Sequence, residues 1–181
     1  MTHSVLIPNA ISATNIDSYN RSAVCASALD NGNIVKLTTR SATAGQGEVF
    51  TAVVPSTSAG LTGLWMVYSG DEIVVTDARY KGLDPDPRNF FTPASTVVSV
   101  YKPQLGDIIT MTADGFATGA GAGSAFANAI DTSGGIKLEW AAAIGTSILS
   151  YKLLGTKYIS LATGAIDTQR VVAYELECVV L

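Results

Sequence analysis

Residues 29–78 read LDNGNIVKLTTRSATAGQGEVFTAVVPSTSAGLTGLWMVYSGDEIVVTDA, and this stretch decides the fold. Asn31-Gly32 signals a turn, because both residues reach positive φ at low cost. An extended run then starts at Ile34, Val35 and Leu37. Glu48 to Val54 forms a second run, stopped by Pro55; Leu61 to Tyr68 forms a third; Glu72 to Thr76 forms a fourth. Short β-prone runs punctuated by Gly, Pro, Ser and Asn predict a small all-β domain. In the third run Leu64, Met66 and Tyr68 alternate with Trp65 and Val67, so both faces are apolar. Such a strand belongs in the middle of a sandwich or barrel, or at an interface.

The rest of the chain extends the same pattern. Ser22 to Leu29 reads as a first strand or one helical turn. Ser95 to Lys102 is a strand ended by Pro103. The run after Gly106-Asp107 places Ile108, Thr110 and Thr112 on one face and Ile109 and Met111 on the other. Gly115 to Asn128 is a Gly/Ala-rich loop, with room for one helical turn at Ser124 to Ala129. Gly134-Gly135 opens a strand that ends at Trp140. Ser147 to Leu154 and Thr156 to Ala162 are β-prone, with Gly155 as a bulge or bend between them. In the last segment, Arg170 to Leu181, Val172, Tyr174, Leu176, Cys178 and Val180 share one face and Glu175 and Glu177 the other. Residues 1–20 are polar, with apolar residues at Val5, Leu6, Ile7, Ile11 and Ile16, and Pro8 opposes a helix. They read as an extended N-terminal arm, a frayed end or a tether across a neighbour, leading into one β-rich domain over 21–181.

The 181 residues suffice for one domain without covalent staples. Charged residues make up 14%, against about 25% in ordinary soluble chains. So few charges point to a surface partly covered in a homo-oligomer or lattice. The net charge of −4 comes with scattered, unclustered lysines and arginines. Phosphate neutralisation needs a basic face, so neither nucleic acid nor an anionic membrane is an expected partner. Cys25 and Cys178 form no framework, and a bridge between them requires oxidising conditions. The opening MTHSVLIPNAIS lacks the basic-then-apolar pattern of a secretion signal. Gly115 to Ile130, 16 residues, falls short of the roughly 20 apolar residues of a spanning helix.

Chemistry finds few footholds. The one histidine, His3, lies in the arm, where packing cannot hold it beside a nucleophile. One histidine and two distant cysteines cannot build a zinc site. Asp77, Asp84 and Asp86 offer oxygen ligands but not the spacing of an EF-hand loop. The segment after Gly115 lacks the Lys-Ser/Thr pair of a phosphate loop, and Ser124 stands where a dinucleotide fingerprint needs glycine. Glu175 and Glu177 lie roughly 7 Å apart on one strand face, within glycosidase range. A solvent-facing edge strand produces the same pattern. The expectation is a chain without catalysis, cofactor or metal. The loop YKGLDPDPRNFFTP, residues 80–93, carries Phe90 and Phe91, either pinned to the core or offered to a partner.

Three motifs in order carry a resemblance. They are a turn-strand with Gly32, Val35 and Leu37; a strand entry with Pro55, Leu61, Gly63, Leu64 and Trp65; and a strand pair with Tyr101, Leu105, Gly106, Asp107, Ile109 and Thr110. Over about residues 21–114 the chain resembles the capsid decoration (head auxiliary or cement) proteins of tailed bacteriophages. It departs from them at Val100, where a basic residue would precede the tyrosine, and it continues well past residue 114. The resemblance implies a β-tulip-like barrel or sandwich with an arm. It also implies a homo-oligomer, with a trimer favoured, on the outer surface of the virion, tying together subunits of the major capsid protein. The shell-contact residues expected on that basis are Leu6, Ile7, Ile11, Ile16, Phe90 and Phe91. Other virion roles remain open at this stage: tail tube, head-fibre base or minor shell protein. So does a carbohydrate-binding module or hydrolase using Trp65, Trp140, Tyr101 and the Glu175/Glu177 pair.

Overall fold

The computed structural model describes residues 3–43, 45–55, 62–68, 86–118, 124–132, 135–146, 148–162 and 168–181. The expected strand at 72–76 and the first part of the 80–93 loop lie outside them. The described chain is all-β, as the sequence predicts. Its strands are β1 (Leu6–Ala10), β2 (Asn20–Cys25), β3 (Ile34–Arg40), β4 (Val49–Val53), β5 (Leu64–Val67), β6 (Val97–Tyr101), β7 (Ile108–Thr112), β8 (Phe126–Thr132), β9 (Gly135–Ala141), β10 (Ser150–Ala162) and β11 (Thr168–Val180). The helical elements among the described residues are single 3-10 turns, such as Ser12–Asn15 and Asp17–Tyr19.

The strands join in the order β1-β7-β11-β10-β8-β9-β3-β4-β2-β6-β5, and β5 pairs back onto β3. That last pairing closes β3, β4, β2, β6 and β5 into a five-stranded barrel. All its pairs are antiparallel except β2 with β4. Closure leaves the barrel without a free edge. The other six strands form an antiparallel sheet that, among the described residues, meets the barrel ladder at one registered pair, Ile34 opposite Ile136.

Two apolar cores result. Ala23, Cys25, Leu29, Val35, Ala52, Val67, Val98 and Val100 fill the barrel. The second core lies between the barrel wall and the sheet. Ile34, Leu64, Met66 and Tyr101 come from the wall; Leu6, Ile109, Met111, Ile136, Leu138, Tyr151 and Leu176 come from the sheet side. β3, β5 and β6 therefore separate two cores. This is the physical reason for the doubly apolar third run: Met66 faces the sheet and Val67 the barrel, and both are fully buried. Within the sheet-side core the Tyr101 hydroxyl donates to Met66 Sδ at 3.2 Å. Burial pushes the Tyr101 and Tyr151 hydroxyls well above the usual phenol range.

The structure corrects three expectations. Residues 3–20 are not a free arm. From Leu6 the chain is an edge strand of the sheet, with Leu6 opposite Met111 and Ile7 opposite Thr110, followed by two 3-10 turns. Pro8 is tolerated there because an edge strand has one side that need not donate. Residues 126–129 open β8 rather than forming a helical turn. At Ser22 to Cys25 the first-strand reading holds, as the end of β2. Finally, β11 is no edge strand, since β7 and β10 flank it. Gly155 does mark a bulge, between Leu153 and Gly155 in the ladder with β11.

Candidate contact surface

The six expected contact residues divide by strand alternation. Leu6 and Ile11 are each only 6% exposed and belong to the sheet-side core. They are corrected from partner contacts to core residues: pairing β1 with β7 turns Leu6 inward and Ile7 outward. Ile7, Ile16 and Phe91 remain 40%, 42% and 41% exposed, and Phe90 is half-buried. The three exposed residues sit on three different elements: the outer face of β1, the link between the two 3-10 turns, and the loop before β6.

That loop is anchored by polar contacts as well as by its phenylalanines. Asp86 accepts the Arg88 backbone N–H at 2.9 Å and caps the 3-10 turn Pro87–Asn89. Its carboxylate also takes the Arg88 guanidinium through Nη2 at 2.6 Å and Nε at 3.0 Å. The guanidinium holds the Asp86 carboxyl below its usual range. Arg88 Nη2 reaches Gln169 on β11 at 2.6 Å. The start of the chain closes over the same region. The His3 N–H donates to the Arg88 carbonyl at 2.6 Å, and the His3 ring stacks on Phe91 at 4.9 Å between centroids. His3 Nδ1 lies 3.2 Å from the Asp30 carboxylate, which also accepts the Ser4 N–H. An antiparallel bridge from Leu29 to Thr92 fixes the far side. Residues 3–4, residues 86–92 and β11 thus form one braced corner with Phe91 on its surface. Sequence reasoning named Leu105 within the resemblance but not as a contact; it is an exposed residue of the β6–β7 turn and lines a shallow groove of about 440 Å³ with residues 9–12.

The residues weighed for carbohydrate chemistry do not converge. Tyr101 is fully buried, so the structure removes it as a platform. Trp65 is half-buried against the barrel core. Trp140 stacks on Phe116 at 4.4 Å and meets Tyr174 edge-on at 4.8 Å. Glu175 is engaged by the Lys157 ammonium and by Asn9 Nδ2, the latter at 3.1 Å. Lys157 holds the Glu175 carboxyl below its usual range, whereas a general acid needs a raised one. Asp77 and Asp84 lie outside the described residues, and Asp86 is committed to Arg88. Among the described residues no group of three or more His, Cys, Asp or Glu side chains gathers as a metal site. Also among them, no helix is long and apolar enough to cross a membrane.

Both cysteines are free and buried, Cys25 in the barrel and Cys178 in the sheet-side core. Burial pushes the Cys178 thiol up to about 12. Since the thiolate is the reactive form, Cys178 is expected to resist alkylation in native protein at pH 8, and burial in the barrel shields Cys25 from the reagent. Unfolding should release two reactive thiols per chain, countable by mass spectrometry. Rapid labelling of the native protein would show that one of the cores opens. Compared with known proteins, the chain matches no family model, no curated protein and no solved structure.

Proposed function

We propose that this chain is a capsid decoration protein of a tailed bacteriophage, which docks on the outside of an assembled head and ties neighbouring major capsid subunits together. The observation that supports it best is where the residues of the resemblance fall. Leu61 lies outside the described residues; several of the others sit in the barrel wall or at the turns that lead into β3 and β7. Gly32 makes the turn into β3 at φ +83°, with no room for a side chain beside Met111. Val35, Leu64 and Tyr101 are buried wall residues facing one core or the other. Gly106, at φ +85°, sets the turn that presents Asp107. The buried Asp107 carboxylate accepts the Ser12 and Gln104 backbone N–H groups, each at 2.7 Å. Two residues of the resemblance, Gly32 and Gly106, thus meet a backbone requirement at turns that lead into β3 and β7.

Surface composition supports the same reading. A chain with 14% charged residues leaves Ile7, Ile16, Phe91 and Leu105 exposed. Apolar side chains of this size at an interface centre supply much of its affinity. On this proposal a homo-oligomer, trimeric by preference, presents them to the shell; Leu6 and Ile11 take no part. The test mixes purified protein with shells of the same virus assembled without it, followed by sedimentation. Co-sedimentation to a fixed stoichiometry is expected, with Phe91→Ser and Ile7→Asp each binding at least about tenfold more weakly, a loss of roughly 1.4 kcal/mol. Wild-type protein that stays in the supernatant at saturating concentration overturns the reading.

A further inference from the structure

One mouth of the barrel carries a cluster that the decoration reading does not use. Arg21 on β2 and Arg40 on β3 come from strands separated by β4, and both approach Phe50 on that strand. Their guanidinium carbons lie 5.7 Å and 5.8 Å from the ring centroid. The register makes this arrangement. Phe50 pairs with Ala23 on one side and Arg40 on the other, so Phe50, Arg40 and, by alternation along β2, Arg21 share the inner face. A cavity of about 530 Å³ opens there, with Val100 among its lining residues. Two cations converging on one ring are unusual in a chain of net charge −4 with eleven Lys and Arg in all. The two guanidiniums flank Phe50 from the strands on either side of β4, so a chain laid across the mouth can set a carboxylate against each.

Asp17 and Glu48 also line this cavity, but neither carboxylate closes a hydrogen-bonded pair with Arg21 or Arg40. Glu48 approaches Arg40 only to 4.0 Å, with both side chains mostly exposed, which makes a weak, solvent-screened pair. Asp17 engages Arg21 through its backbone carbonyl, at 2.8 Å from Nη1. Guanidinium groups match carboxylates in planarity and fork spacing, and the Phe50 face adds an apolar floor. The cavity is wide and open to solvent, which suits a chain segment more than an enclosed small molecule. We infer that the barrel mouth formed by Arg21, Phe50 and Arg40 is a carboxylate-binding site that receives an acidic segment of a partner protein. This inference stands on the mouth alone, so it and the decoration reading can fail separately.

The test titrates the full chain with an acetylated, amidated hexapeptide of alternating Asp and Glu. Calorimetry and the Arg side-chain Nε–H resonances serve as readouts. Saturable binding with a midpoint of about 1 mM or tighter is expected, weakening as salt is raised. Arg40→Gln should weaken it at least about tenfold, and Arg21→Gln similarly. Glu48→Gln should tighten it, because it removes a competing anion. That opposite sign cannot arise from a fold defect, and thermal melts check that each variant folds. The matching Asn/Gln peptide should not bind. Equal binding of the neutral peptide, no saturation by the acidic one, or no effect of either arginine substitution overturns the inference. Succinate binding as tightly as the peptide overturns the assignment to a protein segment.

Discussion

Ile34→Ala is expected to cost about 3 kcal/mol of folding stability, within the roughly 2–5 kcal/mol of buried Ile→Ala changes. Ile34 is fully buried, faces the sheet-side core, and lies opposite both Met66 and Ile136. Its pairing with Ile136 is the registered point where the barrel and the six-stranded sheet join one ladder. Truncation therefore leaves a cavity at the seam, bounded by a closed barrel that cannot easily collapse into it. For a chain of this length the cost corresponds to a fall of roughly 6–12 °C in Tm. Val35→Ala provides the comparison. Val35 is the next residue, is equally buried, and faces the barrel interior. If β3, β5 and β6 bind the two cores into one cooperative unit, both variants should lower a single calorimetric transition. Two transitions, each moved by only one variant, would show that the barrel and sheet melt separately. A loss below about 1 kcal/mol for Ile34→Ala would mean that the seam repacks around the missing atoms.

The seam also shows what was legible in the sequence. The doubly apolar run at Leu64 to Val67 announces a strand with core on both sides, and its β-type follows from period and punctuation. Closure of the barrel is not readable, because it depends on β5 returning to pair with β3, a contact that local pattern does not encode. The parallel pairing of β2 with β4 is equally invisible, since sequence neighbours more often pair antiparallel. The alternation in Arg170 to Leu181 locates β11 but not its central position, because a polar outer face occurs on edge and interior strands alike. At the candidate contact surface, the sequence names Phe91 and Ile7 but does not separate them from the buried Leu6 and Ile11. The Arg21–Phe50–Arg40 mouth is not legible: its members are 29 and 10 residues apart, and each alone reads as an ordinary strand residue.

The leading segment shows the limit most clearly, and deleting residues 1–19 tests it. Read from composition, those residues form a tether whose loss leaves a folded domain. The structure predicts that the deletion damages the fold. Leu6 and Ile11 together contribute roughly 3–6 kcal/mol by burial, at about 1.5–3 kcal/mol for each large apolar side chain. A whole domain is stable by about 5–15 kcal/mol. The cut also removes the Thr112 N–H bond to the Val5 carbonyl at 3.0 Å and the Ser12 N–H bond to Asp107 at 2.7 Å. β7 then becomes a bare edge beside Ile109 and Met111, which favours aggregation. The truncated chain should therefore lose at least about half its denaturant stability or fail to accumulate in soluble form. Because an unfolded product could hide the cause, adjacent point variants sharpen the test. Leu6→Asp places a charge opposite Met111 in the core and should destabilise the chain by more than about 3 kcal/mol. Ile7→Asp places the same charge on the outer face and should change stability by less than about 1 kcal/mol. A tether would make the two substitutions equivalent, whereas a strand of the sheet makes them differ by several kcal/mol, in the order fixed by the pairing of β1 with β7.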